Sequence, residues 1–461
     1  MNIIIVGCGK VGGAIAEQLA VENHDIVVID TSAERLDEVG SVLDVMCIRG
    51  DGVNAAVLAE AGAQKCDLLI AITQSDEVNL LSCLIGKKMG AKNTIARVRN
   101  PIYAEGLPLI KDDLGLSMTI NPEYAAASEI SRTLRFHSAL KVETFAKSKV
   151  EVLKHRIMPS SVLCGLKIHD LKSTIKTDIF ICAVERGDEV FIPTGSTELM
   201  ENDIISFLAS PETAHNFFKK IGASTHKIKN MMLIGGGRLT YYLAKMLLQV
   251  GIKVKIIEKD MARCEELSEL LPGAMIIHGD GTDNKLLHEE GIDETDAVAT
   301  LTGLDEQNVL ISVYALQCSP DKKVITKIKH FDYDDTIKNM NLGSVVYPKY
   351  ITADHIIKYV RVMQNSLGSN VETLHHIVDN KVEVLEFKIR EYSKILSTPI
   401  KDLNLCKGVL IACISRKGNM FIPKGDDTIE LGDTIIVVTT NKGIYSIENI
   451  IGTHDVYDDI L

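Results

Sequence analysis

A chain of 461 residues, 46% of them hydrophobic, is too long for one ordinary core and long enough for two to four domains. Its formal charge of −12 disfavours broad contact with phosphate backbones or anionic lipid, so no nucleic-acid partner is expected. No apolar run reaches the ~18 residues that span a bilayer, and MNIIIV leads into glycines without a basic start or cleavage pattern, so a cytoplasmic location is expected.

The first predicted strand, NIIIV, is followed by Gly7, Gly9 and Gly12 and then by the amphipathic stretch VGGAIAEQLA. The strands DIVVID, MCIRG, LLIAIT and TIARV come next, separated by the helical stretches SAERLDEVG, VNAAVLAEAG and EVNLLSCLIGKKMG. Strand–helix alternation at this pitch specifies a doubly wound parallel sheet. Asn121-Pro122 opens a further amphipathic helix, which leads into about 80 residues rich in strands, Gly-Asp turns and an F-I-P-x-G run, read as a small α+β module. The segment 221–230, IGASTHKIKN, is the expected central linker, and the nearby Lys219, Lys220, Lys227 and Lys229 are read as its solvated charges.

The pattern then repeats. Gly7 aligns with Gly235 at an offset of 228, RGDG with HGDG at 229, and TQSDEVNLL with TGLDEQNVL at 229. KVEVLKHRI meets KVEVLEFKI at 232, and Phe191 meets Phe421 at 230. Offsets this steady mark an internal duplication. Tyr347-Pro348 opens the second exit helix as Asn121-Pro122 opens the first.

The first loop reads G-x-G-x-x-G in full context, between a strand and a helix, with Asp30 ending the next strand. Gly7 serves the tight turn, Gly9 lets the backbone approach a pyrophosphate, and Gly12 lets helix pack on strand. The helix N-terminus favours an anion. Asp30 would accept from ribose hydroxyls and repel a 2′-phosphate, which favours NAD-type or adenosine ligands over NADP. Asp51, Thr73 and Arg97 are expected along the carboxyl edge of the sheet, Arg97 as a phosphate partner or as a surface ion pair. No nucleophile–base pair accompanies the loop, His24 falls before the second strand, and no catalytic residue is assigned. Ten cysteines without C-x-x-C read as reduced buried thiols, and the adjacent His375 and His376 lack metal-site spacing, so no metal site is expected.

In the second copy Gly235, Gly237 and Glu258 are kept, but Thr240 replaces the third glycine and Lys327 replaces the arginine. A threonine there is expected to push helix from strand or narrow the groove, leaving this copy a weaker site or none.

GCGKVG, Asp30, RGDG, T-x-S-D-E-x-N and I-A-R-V together resemble the RCK or KTN nucleotide-binding fold, and the F-I-P-x-G modules resemble its partner, the RCK-C (TrkA-C) domain. The resemblance covers nearly the whole chain. It implies two Rossmann-like domains at 1–140 and 225–368, each followed by an RCK-C domain, at 141–224 and 369–461. It further implies a non-enzymatic regulatory subunit that forms a homo-oligomeric ring. The ring would lie at the inner face of the cell membrane on a potassium transporter subunit of the TrkH or KtrB type and gate it by binding NAD(H) or ATP/ADP. Its implied ligand contacts are Gly7, Cys8, Gly9, Lys10, Val11 and Gly12 for phosphates, Asp30 for ribose, Asp51, Thr73 and Gln74 around the adenosine, and Arg97 for phosphate; Gly235, Gly237 and Glu258 are the weaker counterparts. A soluble NAD-dependent oxidoreductase and a non-catalytic oligomeric scaffold are the competing readings.

Overall fold

The computed structural model describes residues 1–461 except 23, 146–149, 188, 330–339, 341, 366–370, 378–380, 394, 442–443, 445 and 453–461. Its residues fall into two compact units, one of 1–131 with 229–357 and one of 132–228 with 358–461.

The first unit holds two parallel six-stranded sheets. In the first, β1 (Asn2–Val6), β2 (Asp25–Asp30), β3 (Met46–Arg49), β4 (Leu68–Ala71), β5 (Asn93–Arg97) and β6 (Met118–Ile120) lie in the order β3-β2-β1-β4-β5-β6. The order reverses between β1 and β4, which opens a crevice at the carboxyl ends of these strands. Ile3, Ile4, Ile5 and Val6 are all buried, as a central parallel strand covered on both faces requires. The linking helices begin where the sequence supplies caps: Ser32, Asn54, Ser75 and Asn100 each accept an amide of the turn that follows.

The second unit contributes two antiparallel five-stranded sheets. The first is formed by β7 (Lys141–Phe145), β8 (Val150–Arg156), β9 (Phe180–Arg186), β10 (Glu189–Phe191) and β11 (Ile204–Ala209), in the order β10-β9-β11-β8-β7. Back in the first unit, β12 (Asn230–Ile234), β13 (Lys253–Glu258), β14 (Met275–His278), β15 (Ala297–Thr300), β16 (Lys323–Lys327) and β17 (Ser344–Val346) repeat the first parallel sheet as β14-β13-β12-β15-β16-β17. The last sheet, in the second unit, joins β18 (Val371–Ile377), β19 (Val382–Lys388), β20 (Val409–Arg416), β21 (Asn419–Phe421) and β22 (Thr434–Thr439) as β18-β19-β22-β20-β21. The fold class expected from the sequence is therefore the one observed.

Each F-I-P-x-G module sets its phenylalanine beside an arginine that forms an ion pair with a buried aspartate. Arg186 forks onto Asp203 with Nε–Oδ1 at 2.8 Å and Nη2–Oδ2 at 2.7 Å, and its guanidinium lies 5.7 Å from the Phe191 ring. Arg416, Asp433 and Phe421 repeat the arrangement. Asp203 and Asp433 are each 1% exposed, so their charges need such a partner. The two antiparallel sheets share an apolar seam in which Val152, Cys182 and Leu208 meet Val384, Cys413 and Ile436.

Candidate functional site

Gly7 follows β1 with φ +102°, and a Cβ there would meet the Thr73 backbone nitrogen at 2.9 Å. Glycine is obligatory at such a point. Gly12 is closer still, since an added Cβ would lie 2.0 Å from the Gly7 carbonyl oxygen. Gly9 differs from both. Its φ of −77° suits any residue, and nothing in the protein lies within 4 Å of an added Cβ. It caps the helix Lys10–Ala20, whose first-turn amides have no intrahelical partner.

Asp30 ends β2 beside this loop and is 8% exposed. One carboxylate oxygen accepts the Cys8 amide at 2.6 Å, the other accepts the Ser32 amide at 2.9 Å, and the Arg35 guanidinium stands 3.9 Å away. Two of the four lone-pair directions are thus used and two remain. Cys8 is buried, and its burial, with this carboxylate, pushes its thiol up to about 11. Lys10 and Val11 open the helix that follows.

Asp51 is exposed and accepts the Val53 amide at 3.1 Å, while Gly52 behind it packs on Val6, where an added Cβ would reach 2.1 Å. Thr73 lies just past β4 and Gln74 is exposed beside it. The Thr73 amide and hydroxyl both donate to Asn79 Oδ1, at 2.7 and 2.8 Å. Asn79, fully buried, donates in turn to the carbonyls of Thr73 and Arg97 at 3.2 and 3.0 Å. Asn308 holds Thr302 and the Lys327 carbonyl in the same way. The N of the T-x-S-D-E-x-N motif therefore ties the fourth strand end to the fifth. Sequence reasoning quoted this motif without giving Asn79 and Asn308 a role, although their recurrence in both copies was the available signal.

Arg97 is 8% exposed and donates through Nη2 to the Thr73 carbonyl. Its Nε is buried without a partner among the described residues. Burial, then the charge of Arg99, pulls it down to about 10. The surface-ion-pair alternative fails on this burial; Arg97 is a desolvated cation at the carboxyl edge.

The second loop keeps the design. Gly235 has φ +98°, Glu258 accepts the Gly236 amide at 2.5 Å and the Asp260 amide at 2.9 Å, and an added Cβ on Gly237 again meets nothing. Thr240 is fully buried, and its hydroxyl donates to the Gly235 carbonyl at 2.5 Å. The groove is not closed by it. A cavity of about 580 Å³ lies over this loop, lined by Arg238, Glu258, Asp280, Thr302 and Lys327 among others. Thr240 is thus accommodated at this turn by bonding the carbonyl it would otherwise crowd.

Arg99, Pro122 and Glu123 of the first copy also line this cavity. Asp76 positions Arg99 by accepting the amides of Arg99 and Asn100 at 2.8 Å, and the Arg99 side chain pairs with Glu123 through Nε at 2.7 Å. Asn121 Nδ2 donates to the Tyr242 hydroxyl at 3.0 Å, and Tyr124 stacks edge-on against Tyr242, so the two parallel-sheet domains meet beside the cavity. Lys327 donates to the Leu301 carbonyl at 2.7 Å, and burial, aided by Lys329, pulls its ammonium down to about 8. Five cationic side chains, Arg99, Arg238, Lys259, Lys327 and Lys329, line this one pocket.

The TrkA-N domain model matches residues 3–122 and 231–348, and the TrkA-C domain model matches 152–222 and 384–452. Trk system potassium uptake protein TrkA homolog 1 of Methanosarcina mazei is 34% identical over 459 residues, covering 97% of this chain and 99% of its own. The chain belongs to the TrkA family of Trk potassium uptake proteins. The TrkA homolog of Archaeoglobus fulgidus is likewise 34% identical, over 98% of this chain and 100% of its own. Among solved structures, the GsuK channel bound to NAD has the same fold, with a TM-score of 0.61 at 16% identity over 96% of this chain and 77% of that one. The tandem TrkA-N and TrkA-C order accounts for the duplication read from the sequence. Among the described residues no helix is long and apolar enough to cross a membrane.

Proposed function

We propose that this TrkA-family chain is a nucleotide-sensing regulatory subunit of a potassium uptake system. It binds NAD(H) or ATP/ADP in its glycine loops, assembles as a homo-oligomeric ring at the inner face of the cell membrane, and gates a potassium transporter subunit of the TrkH or KtrB type. The division at 1–140, 141–224, 225–368 and 369–461 belongs to this reading, as do the contacts assigned to the first loop, Asp30, Asp51, Thr73, Gln74 and Arg97.

The observation that carries it is the pair Gly9 and Gly237. Neither glycine is required by its φ, and neither is crowded by protein. Both stand at helix N-termini, where free amides and the dipole favour an anion. What excludes a side chain there is a ligand that the backbone must approach closely. The residues present fit a dinucleotide or adenine nucleotide. Asp30 and Glu258 retain lone pairs for ribose hydroxyls, and Arg97 or the Arg99, Arg238, Lys327 and Lys329 set offers charge to phosphates. NAD is the ligand named for the GsuK channel of like fold, which supports that class of ligand here. A bound phosphate would replace carbonyl oxygens as the partner of Arg97 and Lys327, and those carbonyls belong to Thr73 and Leu301 at the strand ends. Ligand binding is thereby linked to the position of the strand-end loops.

An oxidoreductase reading gains no support, since the carboxylates of Asp30 and Glu258 are engaged with backbone amides and the lining of the cavity over the second loop includes no histidine. The test is to add NADH or ATP to the pure protein while following melting and cofactor turnover, then to reconstitute it with its copurified membrane subunit and follow potassium flux. Nucleotide at 100 times its dissociation constant is expected to add about 2.7 kcal/mol of stability without turnover, and to change the flux. Turnover would make the protein an enzyme; no stabilisation would make it a scaffold.

A further inference from the structure

At the amino-terminal edge of the second parallel sheet, opposite the glycine loop, three side chains distant in sequence converge. His288 lies in the helix Asn284–Glu289, Asp293 in the loop before β15, and Cys318 ends the helix Asp305–Cys318 before β16. One ligand atom from each lies within 4.8 Å of the others. His288 Nδ1 is 2.5 Å from Asp293 Oδ2, and the Tyr314 hydroxyl is 2.5 Å from His288 Nε2. We propose that His288, Asp293 and Cys318 bind a borderline-soft divalent ion of the Zn2+ class.

The donor set selects the metal. An imidazole, a carboxylate and a thiolate together suit Zn2+ far better than the all-oxygen preference of Ca2+ or Mg2+. Tetrahedral bonds of about 2.0–2.3 Å put ligand atoms roughly 3.5 Å apart, so the hydrogen-bonded His288–Asp293 pair must open by about an ångström to admit the ion while any wider separation closes by about as much. His288 and Asp293 are exposed and can move that far. Water takes the fourth position, and the Tyr314 hydroxyl on Nε2 orients the imidazole. Thiolate and carboxylate together balance the charge of the ion, and the nearby Lys322 ammonium is held apart by the carbonyls of Asp293 and Thr295.

The duplication supplies an independent argument. In the first copy the corresponding positions are Ala59, Gln64, Ile85 and Met89, where the second copy has His288, Asp293, Tyr314 and Cys318. The fold thus requires none of the four, and where the first copy has three apolar residues and a glutamine the second has four polar or ligating groups at one place. Burial and the Asp293 charge hold the Cys318 thiol above its ordinary value. Binding therefore releases that thiol proton as the metal–sulfur bond forms, and strengthens as pH rises.

The test uses full-length protein, stripped with a chelator and free of nucleotide, titrated with Co2+ and then competed with Zn2+. One equivalent of Co2+ is expected to give thiolate-to-cobalt charge-transfer absorption that Zn2+ abolishes. Cys318→Ser should lose this band, and His288→Ala and Asp293→Asn should weaken binding by at least about tenfold, with melting of the stripped variants showing that they fold. No band in the wild type, or a band that survives in Cys318→Ser, would overturn the proposal.

Discussion

The Thr240 hydroxyl donates to the Gly235 carbonyl at 2.5 Å, in the place where an added Cβ on Gly12 would lie 2.0 Å from the corresponding carbonyl of Gly7. One loop has set its backbone to admit a side chain; the other has not. Gly12→Thr is therefore expected to destabilise the first parallel-sheet domain by about 1–3 kcal/mol through overpacking and to abolish nucleotide binding there. Thr240→Gly should cost about 1–2 kcal/mol, from one lost hydrogen bond and a more flexible first turn, and leave the first site intact. Denaturant melts and calorimetry on both variants check this, and unchanged stability in Gly12→Thr would contradict the steric argument.

Gly9 separates stability from binding. Because its added Cβ meets open space, Gly9→Val should fold, losing at most about 1 kcal/mol as a poorer helix cap, and fail to bind nucleotide. Calorimetry showing wild-type affinity would mean that the ligand backbone does not pass over Gly9.

Asp30 does two things at once, anchoring the Cys8 and Ser32 amides and offering acceptors to a ribose. Asp30→Ala should weaken nucleotide binding by about 1–3 kcal/mol and lower stability by a similar amount, since it leaves the Cys8 amide buried and unpaired. Glu258→Ala should do the same at the second loop. Counting sites per chain by titration assigns each loop its share: two sites, each lost with its own carboxylate, fit the open cavity over Gly237, whereas a single site insensitive to Glu258→Ala would restrict sensing to the first copy.

Lys327 gives the nucleotide reading a pH signature. Its folded value is about 8, against an ordinary 10.5. The unfolded chain thus holds more protons between these values, so folding stability rises with pH across that window and the full cost of the buried charge is present below it. A phosphate beside Lys327 favours the charged form and raises its value. Nucleotide binding above about pH 8 should therefore take up a proton, and binding below about pH 7 should not. Calorimetry in buffers of differing ionisation enthalpy measures the uptake, and Lys327→Gln should remove it. Equal proton uptake in Lys327→Gln would place the titrating group elsewhere.

The local chain determined a great deal by itself. Strand–helix alternation, Gly7 and Gly12, the acids Asp30 and Glu258 and the steady repeat offsets follow from short-range sterics and periodicity, which act within a few residues and can be read without the fold. Helix Pro101–Ile110 and strand β6 were not among the expected elements, because a proline inside the one and the three-residue length of the other weaken the periodic signal. The tertiary structure alone decided what depends on distant residues meeting. The sequence alone makes Thr240 an obstruction, because its partner is a carbonyl whose position the backbone sets. Arg97 could be read as a surface ion pair until its burial was known. Asn79 clamps two strand ends that only the sheet brings side by side, Arg99 reaches a cavity built on the other copy, and His288, Asp293 and Cys318 lack any motif spacing because three separate segments deliver them to one edge. Local geometry is written in neighbouring residues; convergence is a property of the packed chain.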